Sequence, residues 1–194
     1  MRDRTIPRVT LVQAVLAALA ITVVTAGVLL WMGRIPMCGC GYVKLWHAGT
    51  NDAETSQHLT DWYTYSHVLH GVIFYWLLWA IFRGRLSVAA RLVIAMLIEA
   101  AWEIFENMPF IIERYRTQTV SRDYAGDSVI NSAGDMLATL AGFLLTARLP
   151  VWLTVVLLIA TEVTMLIVLR DNLILNIIML LYPLEAIRQW QAAG

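Results

Sequence analysis

Long apolar runs alternate with polar connectors along the whole chain. Runs of about 20 apolar residues are long enough to span the hydrocarbon of a bilayer as helices. The pattern predicts such helices at about residues 9–32, 65–82, 88–112, 127–146, 150–169 and 173–187. The last run is short, so about six crossings are expected, with five the alternative. Residues 34–64 and 113–126 read as polar loops. Pro109 removes a backbone donor and predicts a kink near the end of the third helix. Asp127 and Ser128 suit the start of the fourth, since a short oxygen side chain caps free helix amides. Pro150 suits a first-turn position in the fifth. The expected fold class is an all-α, polytopic membrane helix bundle forming one integral membrane domain over residues 1–194.

Composition supports this picture. Of 194 residues, 59% are hydrophobic and 14% charged, against roughly 25% charged in soluble domains. Mean hydropathy is +0.67. The formal net charge is zero, with 14 basic and 14 acidic residues, so no basic surplus points to nucleic acid. The lipid bilayer is the expected partner. The first apolar run follows a basic start (Arg2, Arg4, Arg8), but it is too long for a signal peptide and lacks a small-x-small cleavage site, so it reads as an uncleaved anchor. Basic residues favour the cytoplasmic side. With Arg83 and Arg85 they place the N-terminus in the cytoplasm and the loops 34–64 and 113–126 outside. Cys38 and Cys40, one glycine apart, could form a disulfide, bind a soft metal or be incidental to a glycine-rich turn.

The chemistry lies where charge is costly. Ionisable residues inside membrane segments are rare and mark functional interiors. Here they are His67 and His70; Glu99, Glu103 and Glu106; Asp127 and Asp135. At ~100° per residue, the three glutamates fall within an arc of about 60°, and Asp127, Asn131 and Asp135 within about 80°. The expected topology brings both stripes and the histidines to one depth, in the outer half of the bundle. Carboxylates and imidazoles on facing helices build bundle-core metal sites, and their donor atoms suit zinc, iron or manganese. His67, His70, Glu103, Asp127 and Asp135 are the candidate ligands. Glu99 is the candidate base and Ser66 a candidate catalytic hydroxyl. Glu106, Asn131 and Glu162 complete the polar core. A solvated helix end or a structural hydrogen-bond network would use the same residue types. His47 and His58 read as solvent-exposed loop residues. The aromatic cluster Trp62, Tyr63, Tyr65 and Trp102 reads as an interfacial belt, and Arg114, Arg116 and Arg122 as interface anchors.

The segments Trp102-Glu-Ile-Phe-Glu-Asn107 and Tyr124-Ala-Gly-Asp-Ser-Val-Ile-Asn-Ser-Ala-Gly-Asp135, with Cys38-Gly-Cys-Gly41 and Ser66-His-Val-Leu-His-Gly71, carry a resemblance. With them the chain resembles an uncharacterised family of small bacterial multi-pass inner-membrane proteins. That resemblance implies an inner-membrane location and transfers no activity. A second, narrower resemblance is to VanZ-like membrane proteins, which are linked to glycopeptide resistance. It rests on Asp127, Asn131, Gly134 and Gly142 with the upstream Glu99 and Glu103.

Three functions follow as expectations. One is a metal-assisted hydrolase or transferase, with a divalent metal such as zinc, acting on a lipid or envelope substrate. The second is a non-enzymatic accessory or lipid-binding protein with a structural polar core. The third is a small proton-coupled transporter using Glu99, Asp135 and Glu162.

Overall fold

The computed structural model describes residues 9–50, 52–83 and 85–193. Arg2, Arg4 and Arg8, which bear on the expected orientation, lie outside them. Eight helices follow in order among the described residues: α1 (Leu11–Trp31), α2 (Thr64–Phe82), α3 (Val88–Glu106), α4 (Pro109–Gln118), α5 (Val129–Thr146), α6 (Val151–Leu169), α7 (Leu173–Leu181) and α8 (Glu185–Ala192). No strand occurs among the described residues. Four helices, α1, α2, α5 and α6, are long and apolar enough to cross a membrane. Helix α3 has 19 residues but carries Arg91, Glu99, Glu103 and Glu106.

The expected helix over 88–112 divides in two. Helix α3 ends at Glu106, and Met108 is extended with Pro109 opening α4. The residue before a proline is driven out of the helical region, so the chain restarts rather than kinks. Residues 113–118 of the expected loop 113–126 are therefore helical. The last apolar run also divides. Helix α7 stops at Leu181, before Pro183, and a short amphipathic α8 follows. Local chemistry sets the starts. Thr10 and Gln13 form a reciprocal capping box on α1, and Ser87, Ser128 and Asn172 accept from amides in the first turns of α3, α5 and α7.

Helices α2 and α5 pack most extensively, and α1 lies against α3 and α5. Close approach of α2 and α5 depends on two glycines. A Cβ on Gly71 would overlap the backbone of Thr139 and Phe143, and one on Gly142 the backbone of Val68. Small residues at such crossings let helix backbones touch, which is how helices associate where lipid removes the hydrophobic drive. The Thr139 hydroxyl then donates to the His67 carbonyl at 2.9 Å. Leu92, Ala95, Met96, Met136 and Phe143, with Ala14 and Ala18 of α1, fill the apolar core. Val12, Val23 and Ile167 stand on the exposed outer faces of α1 and α6.

The segment 34–64 folds onto the end of the bundle. Carbonyls of Ile35, Pro36 and Ser56 accept from the amides of Val129, Ile130 and Ser128, satisfying the otherwise orphaned start of α5. Asn131 donates to the His58 carbonyl at 2.8 Å, and Gln57 to the Gly126 carbonyl at 2.8 Å. This corrects the expectation that His47 and His58 are solvent-exposed: they are 6% and 0% exposed. His58 Nε2 lies 2.9 Å from Glu54, whose other partners are Lys44 and Tyr42. A local ion network buries both rings without a hydrophobic core of its own. Cys38 and Cys40 are joined as a disulfide.

Candidate functional site

His67 and His70 are three apart on α2, so their rings share a face and lie 4.9 Å apart. Glu99 and Glu103, four apart on α3, meet them from across the bundle. Glu99 joins the two imidazoles. His67 Nδ1 is 2.6 Å from Glu99 Oε1, and His70 Nδ1 is 3.0 Å from Glu99 Oε2. An ionised carboxylate can only accept. Both Nδ1 atoms therefore carry the proton against it, and a neutral ring keeps its lone pair on Nε2.

The next contacts differ in kind. Glu103 Oε1 is 3.5 Å from His67 Nδ1, and Asp135 Oδ2 of α5 is 3.8 Å from His67 Nε2. His67, Glu103 and Asp135 each bring one ligand atom within 4.8 Å of the other two, and so do His67, His70 and Glu99. Glu99 and Glu103 are fully buried and Asp135 nearly so. Neither oxygen of Glu103 has a hydrogen-bond partner, nor has Asp135 Oδ1. Buried polar atoms are nearly always paired, and a buried unpaired carboxylate costs several kcal/mol. Two such carboxylates beside an oriented imidazole form a donor set that a cation would complete.

A cavity with about 80 Å³ of room for water-sized molecules opens beside these residues, enough for several waters. His67, His70, Ser66 and Asp135 line its inner part, with Trp102 and Glu106 of α3. Tyr115 of α4, Tyr124, Asp127 and Asp171 form further wall. Asp171, in the turn between α6 and α7, accepts from Tyr63 at 3.2 Å and from Gln191 at 3.2 Å. Burial pushes its carboxyl up to about 6.

The remaining candidates take separate positions. Asp127 lines the cavity, but its side chain accepts from Asn107 and Tyr124, each at 3.0 Å. Its amide donates to Asn107 Oδ1 at 2.8 Å, so Asp127 ties the loop to the end of α3. Asn131 tethers the segment 34–64. Ser66 Oγ is 3.7 Å from Met165 Sδ. Glu162 stands apart from the cluster: its carboxylate accepts from the Leu173 and Ile174 amides, at 3.1 and 3.3 Å, at the start of α7. Arg114 donates to the Leu180 and Leu181 carbonyls and joins α4 to α7.

Tyr63, Tyr115, Tyr124 and Asp171 are cavity residues that sequence reasoning missed. Tyr63 reads as interfacial belt, and Asp171 sits in a polar turn far along the chain. Tyr63 stands one turn before His67 at the start of α2, whereas Tyr115 and Asp171 reach the cavity only through tertiary packing.

An all-helical bundle with four helices able to cross a membrane, and a polar cluster inside it, defines the class: a helical membrane protein with a buried His/Glu/Asp centre. Residues 29–193 match a family described as "Protein of unknown function (DUF2585)". The chain belongs to this bacterial family. It is 55% identical over 177 residues to a UPF0314 protein of Paracoccus denitrificans, covering 91% of each chain. It is also 54% identical over 162 residues to a UPF0314 protein of Agrobacterium fabrum, covering 84% of this chain and 81% of that one. No solved structure matches. None of these matches bears on the VanZ-like resemblance.

Proposed function

We propose that this protein is a multi-pass inner-membrane metalloprotein that holds one divalent cation on His67, Glu103 and Asp135. Its chemistry is hydrolysis or group transfer on a lipid or envelope substrate reaching the cavity from the outer leaflet. The observation that carries this reading is three unpaired buried carboxylate oxygens, both of Glu103 and Oδ1 of Asp135, facing an imidazole already oriented by a third carboxylate. A carboxylate behind a ligating histidine fixes its tautomer and raises its basicity. Glu99 thus orients His67 rather than acting as the base.

His67, Glu103 and Asp135 would hold the ion, which would raise the acidity of a water bound to it. His70, held by the same carboxylate and lining the cavity, would accept the water proton on Nε2 as the water oxygen bonds to the electrophile, and would return it to the leaving group as that bond breaks. Ser66, one turn away, contributes to positioning. In this reading α3 also crosses the membrane, with its acids turned to the protein interior, and α7 with α8 returns toward the outer face. The N-terminus is cytoplasmic, and the disulfide loop lies outside, where oxidation is sustained. The competing reading is a structural polar core, favoured by the complete pairing of Glu99.

Metal content decides between them. Protein purified in detergent and loaded with zinc is expected to retain about one ion per chain after dialysis, the stoichiometry of a single site. His67→Ala and Glu103→Gln should retain little. Wild-type protein that keeps no more metal than Glu103→Gln would leave the structural reading standing.

A further inference from the structure

The unpartnered buried atoms on the cavity lining are acceptors. Its tyrosine hydroxyls are already spent on the wall: Tyr63 donates to Asp171, Tyr115 to Asn176 at 3.0 Å, and Tyr124 to Asp127. Two buried atoms on the lining lack partners. Both are acceptor oxygens, Asp135 Oδ1 and Gln191 Oε1. Asp135 is 4% and Gln191 8% exposed. An occupant that satisfies them must donate.

Charge points the same way. Glu106, Asp127, Asp135 and Asp171 all line the cavity, and no described Arg or Lys does. The Lys–Glu and Arg–Glu pairs among the described residues, Lys44–Glu54 and Arg188–Glu185, lie elsewhere. Buried carboxylates need a counter-charge or a proton, and the wall's basic side chains are histidines. Aromatic rings complete the lining. Tyr115 and Tyr124 meet edge to face at 5.3 Å, and Trp102 meets His70 at 6.1 Å. With the hydroxyls engaged, π surface is what these side chains add, and π faces attract cations. An ammonium group has donors and no acceptor. A carboxylate group would bring only acceptors to the unpaired Asp135 and Gln191 oxygens.

We propose that this cavity binds an ammonium group, either as a free small amine or as the headgroup of an amine-bearing lipid. The inference goes beyond the metal reading, shares Asp135 with it, and is tested on metal-free protein.

The test is calorimetric titration of the full chain in detergent, after exhaustive chelation, with ethanolamine and methylammonium. Glycolate and glycerol serve as anionic and neutral probes of similar size. An ammonium probe is expected to bind at least tenfold more tightly than either control, and Asp171→Asn or Glu106→Gln to weaken it a further tenfold or more. A parallel arm compares thermal stability in nanodiscs of phosphatidylethanolamine and of phosphatidylglycerol. Preference confined to phosphatidylethanolamine assigns the lipid source, and tight binding of a soluble probe assigns the free amine. Equal binding of all probes with no lipid preference overturns the proposal, as does glycerol binding best. An ammonium preference that survives both substitutions in folded protein overturns it too. Should both variants unfold, the wild-type comparison decides alone. Because the titrations are metal-free, failure of the metal assay leaves this result intact.

Discussion

Glu99 Oε1 lies 2.6 Å from His67 Nδ1, on a helix that reaches α2 only through the packing of the bundle. The same carboxylate holds His70, so one buried acid sets the orientation of two imidazoles. Replacing it with the neutral isostere Glu99→Gln removes the charge that fixes both tautomers. Zinc affinity is expected to fall about 10- to 100-fold, the usual cost of losing such an outer partner. Competition with a chromogenic chelator measures it. Unchanged affinity would remove Glu99 from the site.

The α2–α5 crossing should tolerate no side chain at its glycines. Gly142→Ala drives a Cβ into the Val68 backbone, and overpacking of this kind costs about 1–3 kcal/mol. Gly27 of α1 has nothing near its would-be Cβ. Gly27→Ala should be neutral or gain up to about 1 kcal/mol from helix propensity. Denaturant titration in detergent compares the two. Equal effects would argue against the close crossing.

Glu162 acts as a cap for α7. Glu162→Ala frees the Leu173 and Ile174 amides and should cost about 0.5–2 kcal/mol, as lost caps do. Hydrogen exchange should quicken over 173–181 and stay unchanged in α1. Metal retention should also stay unchanged, because Glu162 stands apart from His67.

Two acids outside the helices should respond to pH with opposite signs. Lys44, with His58 and Tyr42, holds the Glu54 carboxyl down at about 2. Its contribution is therefore present above the ordinary value near 4.5 and lost as pH falls toward 2. Burial raises Asp171 to about 6 from its ordinary 3.8. Its contribution is fully present below about 3.8 and lost as pH rises through about 6. Hydrogen exchange resolved by segment should show residues 44–60 loosening at acid pH while the Asp171 turn tightens. Glu54→Gln should abolish the first response and spare the second.

The disulfide gives a check on topology. Neither Cys38 nor Cys40 should react with maleimide until a reductant is added. In intact cells, labelling after reduction by a membrane-impermeant reagent is expected if the loop lies outside. Labelling only after lysis would reverse the proposed orientation.

Several features of the centre are legible in the residue order. Glu99 and Glu103 recur at helical spacing, as do Asn131 and Asp135, so each pair shares a helix face whatever the tertiary fold, whereas Asp127 falls just outside α5. That identified His67, His70, Glu99, Glu103 and Asp135 as neighbours. Their division of labour was not legible. Spacing cannot say that Glu99 is paired twice while Glu103 is not paired at all, because that depends on how far α3 slides along α2. His47 and His58 illustrate the same limit: a polar loop reads as exposed until its fold onto α5 is known.

The sequence by itself determined the helical, membrane-type architecture, the starts of six of the eight described helices to within about two residues, and the polar stripes, because apolar run length, capping residues and periodicity act within a few turns of chain. Only the tertiary structure decided that Glu162 and Asp127 serve the frame, that Tyr63, Tyr115 and Asp171 join the cavity, and that its unmatched atoms are all acceptors. Those facts come from contacts between residues up to 108 positions apart, as Tyr63 and Asp171 are. No local rule fixes such contacts. They follow from how closely Gly71 and Gly142 let α2 and α5 approach, and from where α7 returns to close the cavity.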